Sequence, residues 1–168
     1  MGMGYRIACT KCGYNFTAFF GVGMMFPQAY EDTAQQAKRG ELGEEIQKFL
    51  LEHSDGAIDV SAVMGVCKKC GRLENITDLS MYLPKKDFVP AETQGRWSVA
   101  APFPESKYVS PWDLKSHYNF FAEYPHKCKH CGGKVKIFTE KDVKHGLSDL
   151  KCPRCHNELN INAGLLWD

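Results

Sequence analysis

The chain has 168 residues, enough for one domain or two small ones, and 21 basic against 20 acidic side chains give it a formal charge of +1. No apolar run approaches the roughly 20 residues of a bilayer-spanning helix. The start, Met1-Gly2-Met3-Gly4-Tyr5-Arg6, has no apolar signal core and puts Arg6 where myristoylation needs Ser or Thr, so a cytoplasmic chain without a membrane partner is expected.

In chain order, residues 5–8 read as a strand entering Cys9-Thr-Lys-Cys12-Gly13, with residues 16–20 as the returning strand. Gly13 suits the positive φ that follows such a turn. Gly21-Val-Gly23 lacks the third glycine of a dinucleotide fingerprint and has no Gly-Lys-Ser/Thr after it, so it reads as a turn into a helix. Met24, Met25 and Phe26 are expected in the core, with a partner-binding surface as the alternative. Pro27 opens a helix over residues 28–38, and a second helix runs over about residues 44–53, with Leu42, Ile46, Phe49 and Leu50 on one face. Glu44 and Glu45 suit its positive amino end and, with Glu41, read as a solvated face. Ile58, Val60, Ala62, Met64 and Val66 alternate with Asp59, Ser61, Val63 and Gly65, which predicts one strand running into Cys67-Lys-Lys-Cys70-Gly71. Another strand is expected over residues 76–83.

From Pro84 to Pro125 the texture changes: six of the eight prolines lie here, which rules out long regular elements. Disordered linkers are poor in aromatics, whereas this stretch carries Trp97, Phe103, Tyr108, Trp112, Tyr118, Phe120, Phe121 and Tyr124. It reads as an ordered strap packed over the rest, with a short helix near residues 111–121 capped by Ser110. The last 42 residues carry eight Lys/Arg against five Asp/Glu. Here Cys128-Lys-His-Cys131 leads into a strand over 134–139, and Cys152-Pro-Arg-Cys155 is followed by a closing strand over 158–161.

All eight cysteines thus fall in four Cys-x-x-Cys pairs. A two-residue gap lets one turn present two sulfurs to a soft cation, and four pairs make two complete four-thiolate sites. Paired spacing in a chain without an export signal favours metal over disulfides. The cofactors expected are two Zn2+, with iron as the alternative, and the ligands are Cys9, Cys12, Cys67, Cys70, Cys128, Cys131, Cys152 and Cys155. Twenty residues separate Cys131 from Cys152, and 54 separate Cys12 from Cys67. Loop-closure entropy prefers neighbours, so 9/12 with 67/70 and 128/131 with 152/155 is the preferred pairing; counting residues leaves others open. Eight thiolates and two Zn2+ would take the net charge to about −3, a poor match for a long polyanion except at a local basic patch.

Cys9-Thr-Lys-Cys12-Gly13-Tyr14 and Cys128-Lys-His-Cys131-Gly132 resemble knuckles of the zinc-ribbon (rubredoxin-like) family. Cys152-Pro-Arg-Cys155 is similar to its second knuckle, except that His156 stands where Gly is usual. The resemblance covers residues 5–20, 64–83 and nearly all of 127–161. It implies a metal and a fold, and no activity. The architecture expected is small and α+β: antiparallel zinc ribbons at 1–83 and 127–168, the first interrupted by a helical insertion at about 27–53, joined by the strap at 84–126.

Four thiolates close the metal's first shell, whereas a catalytic zinc keeps a position for water. Each structural centre would contribute on the order of 10 kcal/mol to folding, more than a sheet of this size gains from burial alone. No nucleophile–base arrangement can be assigned, none of the six histidines is needed as a ligand, and metal-bound cysteines are poor nucleophiles. The leading functional expectation is a non-catalytic zinc-binding module with a protein partner. One alternative is nucleic-acid binding through Lys127, Lys129, Lys134, Lys136, Lys141, Lys144, Lys151 and Arg154. Rubredoxin-like iron electron transfer is another, because iron accepts the same tetrahedral sulfur, and dithiol–disulfide exchange would need one pair free of metal.

Overall fold

The computed structural model describes residues 2–88, 108–146 and 150–167. Its elements in chain order are β1 (Gly2–Ala8), β2 (Asn15–Phe20), α1 (Phe26–Lys38), α2 (Glu44–Glu52), β3 (Ala57–Ile58), β4 (Ala62–Cys67), β5 (Leu73–Thr77), β6 (Met81–Pro84), α3 (Pro111–His117), β7 (Tyr118–Ala122), β8 (Val135–Phe138), α4 (Glu140–Lys144) and β9 (Asn160–Trp167). The fold is α+β, with three antiparallel sheets among the described residues, in the orders β2-β1-β9, β3-β6-β7 and β5-β4-β8. The chain forms two compact units, each assembled from separated stretches: Met1–Gly23, Ser61–Asp78 and Pro125–Asp168 in one, Met24–Val60 and Leu79–Tyr124 in the other.

The first unit holds all eight cysteines and two of the sheets. Tyr5, Ile7, Ala18 and Phe20 share one buried cluster with Met64, Val66 and Leu73 of the second sheet, closed by Val143 and Leu150. The two sheets are therefore halves of a common core. They are also stitched at their edges. Gly21 and Ala62 exchange both backbone hydrogen bonds, and the Asn75 side chain accepts from Phe19 N–H while donating to the Thr17 carbonyl. The helix α4 was not foreseen from the sequence. Its signal is Thr139-x-x-Asp142, a reciprocal capping box in which each side chain satisfies the other residue's backbone N–H. Glu140 then ties it to β1 by accepting from Tyr5 Oη at 2.8 Å.

The second unit carries α1, α2, α3 and the β3-β6-β7 sheet. Pro27 sits in the first turn of α1, and Ile46, Phe49 and Leu50 bury the apolar face of α2 as their spacing requires. Glu41, Glu44 and Glu45 are exposed. Of the three apolar residues expected in the core, Phe26 is buried, but Met24 and Met25 are 72% and 57% exposed. They precede the helix, where no apolar stripe turns them inward.

Three expected elements are divided. The alternating run from Ile58 to Val66 is β3 and β4, separated where the chain passes between units, and the run over 76–83 is likewise β5 and β6. Both strands of the first run are buried along nearly all their length and those of the second only in part, while the pairing partners change within each run. The helix capped by Ser110, with Asp113 completing the box, stops at His117, and the aromatic residues after it form β7 against β6. Tyr-Asn-Phe-Phe suits a pleated, half-exposed strand better than a helix. The described parts of the strap, α3 and β7, thus belong to the helix-bearing unit, and residues 89–107, with Trp97 and Phe103, lie outside the described residues, as does part of the approach to Cys152.

Candidate metal centres

All four Cys-x-x-Cys turns have the same backbone. The first cysteine's N–H donates to the carbonyl five residues on, and its carbonyl accepts from the N–H four residues on. This holds for Cys9 with Tyr14 and Gly13, Cys67 with Arg72 and Gly71, Cys128 with Gly133 and Gly132, and Cys152 with Asn157 and His156. The fourth residue after the first cysteine has φ of 70° at Gly13, 68° at Gly71, 69° at Gly132 and 60° at His156. The left-handed position at the last turn therefore falls on His156.

Strand pairing decides which turns meet. β9 lies against β1 with Ile7 opposite Ile161 and Ala8 opposite Asn160, which sets the 152/155 turn beside the 9/12 turn. β8 lies against β4 with Cys67 opposite Val135, which sets 128/131 beside 67/70. The sulfurs accordingly form Cys9, Cys12, Cys152 and Cys155 in one tetrad, and Cys67, Cys70, Cys128 and Cys131 in the other, with all sulfurs of a group within 4.8 Å. This overturns the pairing preferred on loop length. Joining residues 140 apart, as Cys12 and Cys152 are, instead of neighbours about 20 apart costs only ~2 kcal/mol of closure entropy. An eight-residue strand laid along β1 over a shared core outweighs that.

The sulfurs are thiols in contact, not disulfides: Cys9–Cys155, Cys12–Cys152 and Cys67–Cys131 are 3.5 Å apart and Cys70–Cys128 3.8 Å, against about 2.0 Å for a bonded pair. A tetrahedral thiolate centre with metal–sulfur bonds near 2.3 Å has sulfur–sulfur edges of about 3.8 Å. Both tetrads fit a four-coordinate metal in spacing and in donor chemistry. The first cysteine of every turn is buried and the second half-buried, so each centre is walled on one side and reachable on the other. Every ligand comes from the protein.

The electrostatics point the same way. Hydrogen bonds from the Asn157 side chain and backbone pull Cys155 down to about 6, and the backbone N–H groups of Cys70 and Lys69 do the same for Cys67. Their neighbours are pushed the other way. Burial, partly countered by backbone N–H groups, raises Cys128 to about 12, with Glu74 and Cys67 adding to it. At Cys12 the Tyr14 backbone lowers the value, but burial and the sulfurs of Cys155, Cys152 and Cys9 together raise it to about 12. The readily formed thiolates of Cys155 and Cys67 oppose ionisation of Cys12 and Cys128, because like charges at these separations repel unless a cation sits among them.

Beyond the sulfurs the tetrads differ. In the first, the Asn157 amide donates to Cys155 Sγ at 3.4 Å. In the second, Glu74 Oε1 lies 3.4 Å from Cys128 Sγ as an acceptor. The second is also packed by Val135 and Ile76, and Gly133 abuts it so closely that a Cβ there would meet Lys69 Cβ at 2.7 Å and Cys67 Sγ at 3.1 Å. Both metal groups found among the described residues consist of cysteine alone, so no histidine joins either. Of the lysines singled out by composition, Lys144 pairs with Glu140, Lys151 with Glu158, and Lys136 lies 4.6 Å over the Phe138 ring. No helix among the described residues is long and apolar enough to cross a membrane. Compared with known proteins, the chain matches no family model, no curated protein and no solved structure.

Proposed function

We propose that the protein is a non-catalytic zinc-binding interaction module, in which two structural Zn2+ centres hold ribbon-like knuckles in place. The observation carrying this reading is the completeness of the tetrads: four convergent thiols saturate a tetrahedral ion and leave no position for water or substrate. Each tetrad joins a hairpin to a third strand, β1-β2 with β9 and β4-β5 with β8, which supports the ribbon reading. The role of the metal is to fix the turns; the protein's own share is the N–H groups that favour thiolates and the core that aligns the strands. A protein partner is supported by the second unit, which exposes Met24, Met25, Leu51, Trp112, Phe120 and Phe121, more large apolar side chains than a small surface needs. Elemental analysis with an absorption spectrum on freshly purified protein tests the reading. Two zinc per chain and no visible colour are expected. A red protein with iron bands replaces it with electron transfer, and one metal per chain replaces it with a free dithiol.

A further inference from the structure

The lysines of the second centre come from both of its hairpins, which the linear sequence keeps far apart. Lys68 and Lys69 lie in the 67/70 turn and Lys129 in the 128/131 turn, whose sulfurs touch across the tetrad. Lys127 and Lys134 are bridged to each other, and Lys68 N–H donates to the Lys134 carbonyl at 2.9 Å. A Cβ at Gly133 would touch Lys69 Cβ, so that lysine too lies against the opposite turn. All five are exposed, and none forms an ion pair among the described residues. A carboxylate, Glu74, lies against Cys128 Sγ of the tetrad. His130, also exposed, sits in the same turn.

Five cations outnumber the charge behind them. A loaded tetrad carries −2 and Glu74 −1, leaving an excess of about +2 at the surface. The residue type narrows the partner. Lysine meets phosphates as a point charge, whereas base-edge readout favours the planar fork of arginine; Arg72, exposed at the end of the 67/70 turn, acts electrostatically on Tyr14 of the 9/12 turn and is not counted in the face. Single-strand binders add aromatic platforms on which bases stack, and none of the exposed large aromatic side chains belongs to this unit. We infer that Lys68, Lys69, Lys127, Lys129 and Lys134 form a phosphate-backbone docking face for duplex nucleic acid, without base specificity. The inference rests on the reading of the second tetrad as a metal centre that holds the two turns together.

The test is fluorescence anisotropy of a labelled 20-base-pair mixed-sequence DNA duplex with the full metal-loaded chain, repeated across salt concentrations, with metal content measured on every preparation. Engaging most of the five lysines gives a log–log salt slope of about −3 to −4.5, hence a roughly thirty- to hundredfold loss of affinity from 50 to 150 mM salt. The triple variant Lys68→Gln, Lys69→Gln, Lys129→Gln is expected to keep two metals and to flatten the slope by about 3. Its control, Lys38→Gln, Lys86→Gln, Lys115→Gln on the other unit, should bind like the parent. A parental slope shallower than about −1, or a control that loses as much as the face variant, overturns the inference. Polyglutamate competing as well as duplex would make the partner an acidic protein instead, and a face variant that sheds metal would reduce the lysines to screening the thiolates. Two metals per chain with no duplex binding sinks this inference alone; fewer than two sinks the proposed function.

Discussion

The two cysteine tetrads are built from turns that share the same two backbone hydrogen bonds, yet each sits in a different chemical frame. The first receives an amide donor from Asn157, and its halves come from opposite ends of the chain. The second faces the acceptor oxygen of Glu74 and is sealed by Val135 and Ile76. Local turn geometry is thus specified within six residues, while what surrounds the sulfurs is set by which strands pair. The difference teaches that equal ligand sets need not hold metal equally.

The broadest way to break the comparison is to remove the metals. A strong chelator acting on the full chain should abolish the β1-β2-β9 and β5-β4-β8 sheets together, because they share one core, and because each centre supplies on the order of 10 kcal/mol. Far-UV circular dichroism would show strand signal lost with helix signal retained. Losing only one sheet would show that the cores are separate. Acid should act likewise. Hydrogen bonds favour the thiolates of Cys67 and Cys155, burial and neighbouring sulfurs oppose those of Cys128 and Cys12, and a metal must hold all four deprotonated, so retention falls as protons compete at lower pH. Metal content after equilibration across pH would show that direction.

A smaller break is steric and confined to the second centre. Gly133→Ala would force a methyl into Lys69 Cβ and Cys67 Sγ and should cost about 2 kcal/mol. Gly132→Ala next to it meets open space and pays only for its φ of 69°, about 1 kcal/mol. Denaturation at fixed free zinc should rank them in that order; the reverse order would place the strain in the turn instead of the sulfur shell.

Glu74→Gln sharpens the comparison by making the second centre resemble the first. It replaces an oxygen that repels the Cys128 thiolate with an amide able to donate to it, as Asn157 does at Cys155. Outer partners of metal ligands shift retention by about tenfold or more, so the variant's second metal should leave to a chelator about tenfold more slowly. An unchanged rate of release from the second centre would remove Glu74 from the account.

The same contrast explains what could be read from residue order. The turns, the eight candidate ligands and the strands flanking them follow from Cys-x-x-Cys-Gly and from short alternations, because these are local. The pairing of turns was missed because chain proximity was weighed by entropy alone, while the partner of β1 depends on a core shared by Tyr5, Ile7 and Met64. The breaks after Ile58 and Thr77 were illegible for a related reason: strand-forming residue types continue across both and are blind to a change of neighbouring strand. Thr139 and Asp142 did carry a signal for α4 that went unread.

The smallest expected effect isolates the one turn that departs from its siblings. His156 holds φ of 60° where Gly13, Gly71 and Gly132 hold 68–70°. A side chain in that region costs about 1 kcal/mol, less for residues that tolerate it. The exposed His156 ring has no hydrogen-bond, ionic or ring partner among the described residues to offset this. His156→Gly should therefore stabilise the protein by about 0.5 kcal/mol after the greater chain entropy of glycine is counted, a rise of ~1–2 °C in thermal midpoint at fixed free zinc. The reciprocal Gly13→His, at a position where a Cβ meets open space, should lower it by a similar amount. If both substitutions lower the midpoint, the His156 ring contributes something the turn geometry does not contain; opposite signs would show that the four turns are interchangeable and that the tetrads differ only in what surrounds them.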